Sequence, residues 1–129
     1  MNLVEKHIIK ETEELNILCF KCKNLYNRIL YDIRQDYFKD NSKPNQYDFN
    51  HIYKDLEEFK SLPSRVSRGV IRMLVGNWDA YFVALNSYYR SKNLFRGKPK
   101  LPGYLDKQGK FTAIFTDTAV LTKNLLKCI

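Results

Sequence analysis

The sequence predicts a mainly α chain with a small β element, in which three helices pack together and two or three short strands lie toward the ends. Two long stretches of the 129 residues carry apolar side chains at spacings of three and four, and a shorter stretch between them does the same. That spacing is typical of amphipathic helices. Proline and glycine cluster after residue 96, where the helical spacing stops.

The N-terminal third predicts a short strand followed by the first long helix. Residues 3–10 are rich in branched side chains, which favours a strand. From residue 11 to about residue 38 the apolar positions follow helical spacing, and acidic residues occupy the first turn, where the helix dipole favours them. The apolar stripe consists of Leu18, Cys22, Leu25, Ile29 and Ile33.

Two further helices are predicted after a polar loop over residues 39–46. Asp48 is the expected N-cap of the second helix, which extends to about residue 60. Residues 61–64, with Pro63 in the first turn, form a helix-start signal for the third helix, which extends to about residue 91. The apolar stripe of the third helix consists of Ile71, Leu74, Trp78, Phe82, Leu85 and Tyr89.

The C-terminal quarter differs from the rest of the chain in its glycine and proline content. Residues 95–109 hold Gly97, Pro99, Pro102 and Gly103, which predict an extended, basic arm. Apolar and polar residues alternate closely enough in residues 110–116 to predict a strand. Residues 118–129 are predicted to form another strand or a short helix.

Length and composition indicate an ordinary folded chain, with 44% hydrophobic and 28% charged residues. No apolar run is long enough to span a bilayer, and the N-terminus lacks the layout of a signal peptide, so we expect a cytoplasmic protein without a membrane partner. The three cysteines are an odd number and predict no disulfide framework.

Positive charge is strongly segregated along the chain. Residues 1–60 carry ten Lys/Arg against eleven Asp/Glu, whereas residues 61–129 carry twelve against three, which gives the net charge of +8. A field that uneven attracts polyanions over about a Debye length, roughly 8–10 Å. Nucleic acid, either structured RNA or DNA, is therefore the predicted partner; the alternative is a surface merely decorated with lysine.

An arginine row on the third helix is the first candidate binding element. Arg65, Arg68 and Arg72 lie at i, i+3 and i+7, on one side of the helix, and Gly69 and Gly76 lie close to that side. Each interior glycine costs about 1 kcal/mol relative to alanine. Their presence suggests a close approach to the backbone, by a phosphate chain or by another helix. The alternative is a solvated basic face.

The arm is the second candidate binding element. An arm without regular hydrogen bonds can follow a groove or a phosphate backbone; the alternative is a flexible surface linker. Tyr104 is a candidate for stacking on bases. The basic candidates of the arm are Arg96, Lys98, Lys100, Lys107 and Lys110.

No catalytic constellation, metal site or cofactor site emerges from the sequence. Cys19 and Cys22 have C-x-x-C spacing without a second pair, and they fall on the apolar face of the first helix, which predicts small core residues. Asp79, Asp106 and Asp117 are the acids after residue 58, and they fall in a helix, a loop and near a strand end, which is a poor scaffold for a two-metal nuclease. We therefore expect no enzyme activity from this sequence as it stands.

Several segments resemble the N-terminal portion of TnpB-type proteins, the OrfB accessory transposases of bacterial insertion sequences. The most specific segments are KNLYN at 23–27 and GKPKLPGY at 97–104. The others are HIIK at 7–10, LCF at 18–20, IRQ at 33–35, LPSRV at 62–66, NW at 77–78, YF at 81–82, KF at 110–111 and FT at 115–116.

This resemblance implies a fold and a role. In the family, a β-barrel wedge is interrupted by a helical recognition insertion, which would assign residues 11–96 to the recognition-like part and residues 1–10 and 97–129 to an incomplete wedge. Relatives are RNA-guided DNA endonucleases whose RuvC-like nuclease lies further along the chain than the matching segments. The resemblance thus implies guide-RNA and target-DNA binding without the nuclease.

Two other functions remain open from the sequence. A helix-turn-helix DNA-binding protein would present a short recognition helix with polar side chains at its start, and the third helix is long and apolar. A non-catalytic protein-interaction module would use the Tyr and Phe faces instead. The incomplete wedge implied by the resemblance also leaves open a decayed transposase fragment.

Overall fold

The computed structural model describes residues 4–41 and 43–115. The mainly α class is confirmed, and the small β element is not. The described residues form four α-helices and one 3₁₀ turn at Lys92–Leu94. The helices are α1 (Glu13–Asp40), α2 (Gln46–Ile52), α3 (Glu57–Lys60) and α4 (Ser64–Arg90).

The first and third predicted helices are confirmed as α1 and α4. Thr12 caps α1 by accepting the Leu15 N–H at its hydroxyl oxygen, 3.2 Å away. At the other end Asn41 adopts a left-handed conformation with φ 56°, and its N–H donates to the Tyr37 carbonyl at 2.8 Å. Asparagine tolerates that conformation, so it closes the helix two residues later than the apolar pattern indicates. Pro63 precedes α4 as its N-cap.

The second predicted helix is wrong in two respects. Its cap is Asn45, whose side-chain oxygen accepts the N–H groups of Tyr47 and Asp48, so Asp48 lies inside the first turn. The segment also divides into α2 and α3. Tyr53 and Phe59 are both buried, yet six residues apart on one continuous helix they would face directions about 120° apart. The break turns both side chains to the core.

The core lies between α1 and α4. Leu25, Ile29 and Leu30 of α1 are fully buried, as are Val66, Ile71, Leu74 and Trp78 of α4. Trp78 lies in an aromatic cluster, with its ring centroid 5.4 Å from that of Tyr37 and 5.8 Å from that of Tyr81. Tyr37 and Tyr81 also join their hydroxyls at 3.2 Å.

The described parts of the predicted strands have no ladder. Residues 4–10 have no regular structure and pair with no strand among the described residues, and Val4 and Ile8 are more than nine-tenths exposed. Residues 110–115 are extended but lie against helices rather than beside a strand. The prediction for residues 118–129 lies outside the described residues.

Polar groups of α1 hold the arm in place, and the arm runs antiparallel to the helix. Arg34 donates to the Pro102 carbonyl at 2.9 Å, and Asn27 both donates to the Leu105 carbonyl and accepts the Leu105 N–H, at 3.1 and 2.9 Å. Lys23 donates to the Lys107 carbonyl at 2.6 Å. Further along, the Phe111 N–H donates to the carbonyl of Cys19 at 3.1 Å.

We expect Asn27→Ala to loosen the arm while leaving the helical core folded. The substitution removes both hydrogen bonds to Leu105, and each unmade bond costs about 1 kcal/mol or more. Urea unfolding should show a loss of about 1–3 kcal/mol, and trypsin should cleave after Lys107 faster than in the wild type. Asn24→Ala, a change one turn earlier on α1, is the control and should alter both readouts little. Equal cleavage rates in the two variants would contradict the proposed anchoring.

Candidate nucleic-acid interface

The arginine row lies on the solvent side of α4. Arg65, Arg68 and Arg72 are all exposed, within an arc of about 60° and a length of about 10 Å along the helix axis. In the described chain no carboxylate lies within 4.0 Å of any of the three guanidinium groups. Arg90 continues the same helical stripe, and Asp79 interrupts it. The row is therefore a set of cations whose charge no ion pair neutralises.

The two glycines beside the row have different surroundings. A Cβ atom placed on Gly69 would lie 3.5 Å from the Cβ of Ile114, so the close approach there is made by the chain's own segment after the arm. A Cβ on Gly76 would meet nothing within 4 Å in the described residues. The interpretation of a close contact therefore holds for Gly69 with an internal partner, and Gly76 faces open space.

The arm exposes its predicted cations. Arg96, Lys98, Lys100 and Lys107 are exposed, and none pairs with a carboxylate in the described part of the chain. A hydrogen bond to the Tyr89 hydroxyl raises the pKa of Lys98 above its ordinary value.

A groove of about 380 Å³ separates part of the arm from α4. Lys100 lies on the arm side of this groove, and Asn77 and Tyr81 lie on the helix side. Tyr26 of α1 contributes to the lining as well, and its hydroxyl accepts a hydrogen bond from the Asn77 amide at 2.8 Å.

Tyr104 lies beside a cation that the sequence did not single out. The Arg34 guanidinium carbon is 5.2 Å from the centroid of the Tyr104 ring and 5.7 Å from that of Phe38. Its hydrogen bond to Pro102 fixes this position. The charge distribution did not point to Arg34, because it belongs to the charge-balanced half of the chain. The local signal for its stacking on an aromatic ring was Phe38, four residues later on the helix.

Lys110 differs from the other candidates because it already has an acidic partner. Its ammonium lies 3.1 Å from a Glu11 carboxylate oxygen and 2.8 Å from the Asn16 side-chain oxygen. The pair is exposed, so it is worth little energetically. A phosphate contact at Lys110 would have to replace these partners.

No protein-family model, curated protein or solved structure matched the chain significantly. The resemblance to TnpB-type proteins therefore rests on the segments quoted from the sequence.

The cysteines of α1 fit a structural role. Cys22 is fully buried, and burial, together with the nearby Cys19, raises the pKa of its thiol to about 12. No three His, Cys, Asp or Glu residues come together as a metal site in residues 4–41 and 43–115. None of the helices described is both long enough and apolar enough to cross a membrane.

We expect Gly76→Ala to stabilise the protein. The new methyl group meets open space, and alanine is favoured over glycine in a helix interior by about 1 kcal/mol. The free energy of unfolding in urea should rise by about 0.5–1 kcal/mol. The reverse change at an exposed site of the same helix, Ala80→Gly, should lower it by a similar amount. A destabilised Gly76→Ala variant would show that this face of α4 is not open.

Stability should fall at alkaline pH, in part through Cys22. The thiol ionises near pH 9.0 in the unfolded chain and near pH 12 in the fold, so between these values the unfolded state binds fewer protons. The free energy of unfolding therefore decreases as the pH rises above about 9. Burial likewise raises the pKa values of Tyr53 and Tyr81. Cys22→Ala should show a smaller loss of stability between pH 8 and about pH 10 than the wild type; equal losses would exclude Cys22 as a contributor.

Proposed function

We propose that this chain binds nucleic acid, as the N-terminal part of a TnpB-like transposase that contacts guide RNA and target DNA. The observation that carries the proposal is the exposure of seven cations in the basic half that have no carboxylate partner in the described residues. They are Arg65, Arg68, Arg72, Arg96, Lys98, Lys100 and Lys107.

Cations of this kind favour a phosphate backbone for a physical reason. Each phosphate that is neutralised releases condensed counterions, and this release dominates affinity at low salt. A lysine or arginine that is already paired with a carboxylate would contribute less to the binding free energy, because that ion pair must first be broken. The seven cations start without that cost.

The anchored arm supports the same function. Its backbone is held by α1, so the backbone does not have to be ordered when a ligand binds, which lowers the entropic cost of association. Phosphate contacts of this sort set position rather than sequence preference. Base pairing with a guide would then supply the specificity, as the resemblance to the TnpB family implies.

The helix-turn-helix alternative receives less support. Such proteins insert the start of a short recognition helix into the major groove. Here α4 has 27 residues, and Val66, Ser67, Gly69 and Val70 near its start are buried. Footprinting on duplex DNA without RNA separates the two functions, since a helix-turn-helix protein protects a defined duplex site by itself.

We expect the affinity of the chain for nucleic acid to fall steeply with salt. With about six phosphate contacts, the slope of log affinity against log salt should be roughly −4 on a single strand and −5 on duplex DNA. The triple variant Arg65→Ala, Arg68→Ala, Arg72→Ala should make the slope shallower by about 2–3. Fluorescence anisotropy with a labelled oligonucleotide measures both slopes.

A charge-matched variant is the control for this measurement. Lys39→Ala, Lys54→Ala, Lys60→Ala also removes three exposed cations, but from the charge-balanced half of the chain. It should leave the slope close to that of the wild type. A wild-type slope near zero, or equal changes in the two triple variants, would overturn the proposed interface.

A further inference from the structure

A second group of aromatic and basic side chains surrounds the C-terminal end of α4. Tyr88 and Tyr89 occupy its last turn, and Phe95 follows the 3₁₀ turn. The Tyr88 ring centroid lies 5.5 Å from that of Tyr89 and 5.8 Å from that of Phe95, in edge-to-face geometry. We call Tyr88, Tyr89 and Phe95 the aromatic corner.

Two of the three rings of the aromatic corner, those of Tyr89 and Phe95, are exposed, and Tyr88 is partly buried. Tyr89 is 55% exposed and Phe95 is 36% exposed, and Leu94 beside them is 79% exposed. Rings in a core bury their faces, as Trp78 does in this chain with no exposed area. The corner therefore offers aromatic surface that the described fold does not use.

The ammonium groups of two lysines lie near these rings. The Lys92 ammonium is 5.7 Å from the centroid of the Tyr89 ring and 6.0 Å from that of Tyr88, and the Lys98 ammonium is 5.8 Å from that of Tyr89. Arg90 and Arg96 are the flanking basic residues, and both are exposed. Residues 80–105 contain no Asp or Glu, so no acidic residue of this stretch balances the charge.

We propose that the aromatic corner binds unpaired bases of a single-stranded nucleic acid, with Lys92 and Lys98 at the adjoining phosphates. Rings interleaved with cations are the means by which proteins bind single strands, because every base has a face that stacks and every linkage carries a charge. Bases inside a duplex are already stacked on one another and do not present that face. The inference rests on the proposed nucleic-acid function and specifies the ligand as unpaired strand.

The sequence pattern alone did not single out this site. Tyr89 belongs to the apolar stripe of α4, which predicts burial, whereas the structure leaves it 55% exposed in the last turn of the helix. Lys98 is shared with the arm, so the corner is continuous with the proposed interface.

The test compares three labelled probes with the full chain. These are an oligo(dT) strand of about 12 nucleotides, a strand of equal length and charge made of abasic residues, and a duplex of equal length. The wild type should bind oligo(dT) about ten-fold more tightly than the abasic strand. Tyr89→Ala with Phe95→Ala should remove that ten-fold advantage and leave abasic and duplex binding unchanged.

Two variants control the test. Tyr89→Phe keeps the ring and should bind oligo(dT) as the wild type does. Tyr47→Ala removes another exposed tyrosine, on α2, and should have no effect. Circular dichroism of each variant checks that the helices remain folded.

Each contrary result has a distinct meaning. Equal wild-type affinity for oligo(dT) and the abasic strand, or an equal loss on both in the double variant, overturns the base-stacking role and leaves the proposed function in place. Polyglutamate of equal charge is the competitor for oligo(dT). If it displaces oligo(dT) from the wild type, and this displacement depends on Tyr89, the base-stacking role is overturned in favour of binding an acidic peptide. Failure to bind any probe at low salt overturns the proposed function itself.

Discussion

The arrangement of the chain depends on the capture of the arm backbone by polar side chains of α1. The prolines of the arm prevent it from joining a helix or a sheet ladder, so its carbonyls need other partners. Arg34, Asn27 and Lys23 supply those partners in succession along one side of the helix. A segment that composition alone would describe as a linker thus acquires a fixed backbone course, which sets where its exposed lysines leave the backbone.

α1 therefore has two separate functions in the fold. Its apolar stripe packs on α4, and its polar stripe holds the arm. Tyr26 connects the two, since its hydroxyl accepts from Asn77 of α4 and its ring centroid lies 4.7 Å from that of Phe111. Because the apolar core does not include the arm hydrogen bonds, weakening the polar stripe should affect the arm before it affects the helices.

Sequence reasoning reached the long helices and the extended arm because each has a local signal. Apolar residues at helical spacing over more than 25 residues identify a helix, and proline restricts the backbone to extended or turn conformations. The strand predicted after the arm is not confirmed over residues 110–115. Phe111 and Ala113 are partly buried and Thr112 is exposed, but Ile114 and Phe115 are both partly buried. This segment lies against helices, since Phe111 bonds to Cys19 of α1 and Ile114 lies beside Gly69 of α4. Alternation reports a half-buried extended chain and does not report a pairing partner.

The sequence predicted the candidate site only through the uneven distribution of its lysines and arginines. The docking of the arm could not be predicted, because it joins residues 68 to 84 positions apart through bonds from side chains to the backbone, which leave no local pattern in the sequence. This docking also gives the two most specific segments of the TnpB resemblance a structural reason. Lys23 and Asn27, the ends of KNLYN, bind the backbone just beyond GKPKLPGY, and Arg34 binds within it. Both segments therefore take part in holding the arm, and Lys98 and Lys100 of GKPKLPGY also belong to the proposed interface.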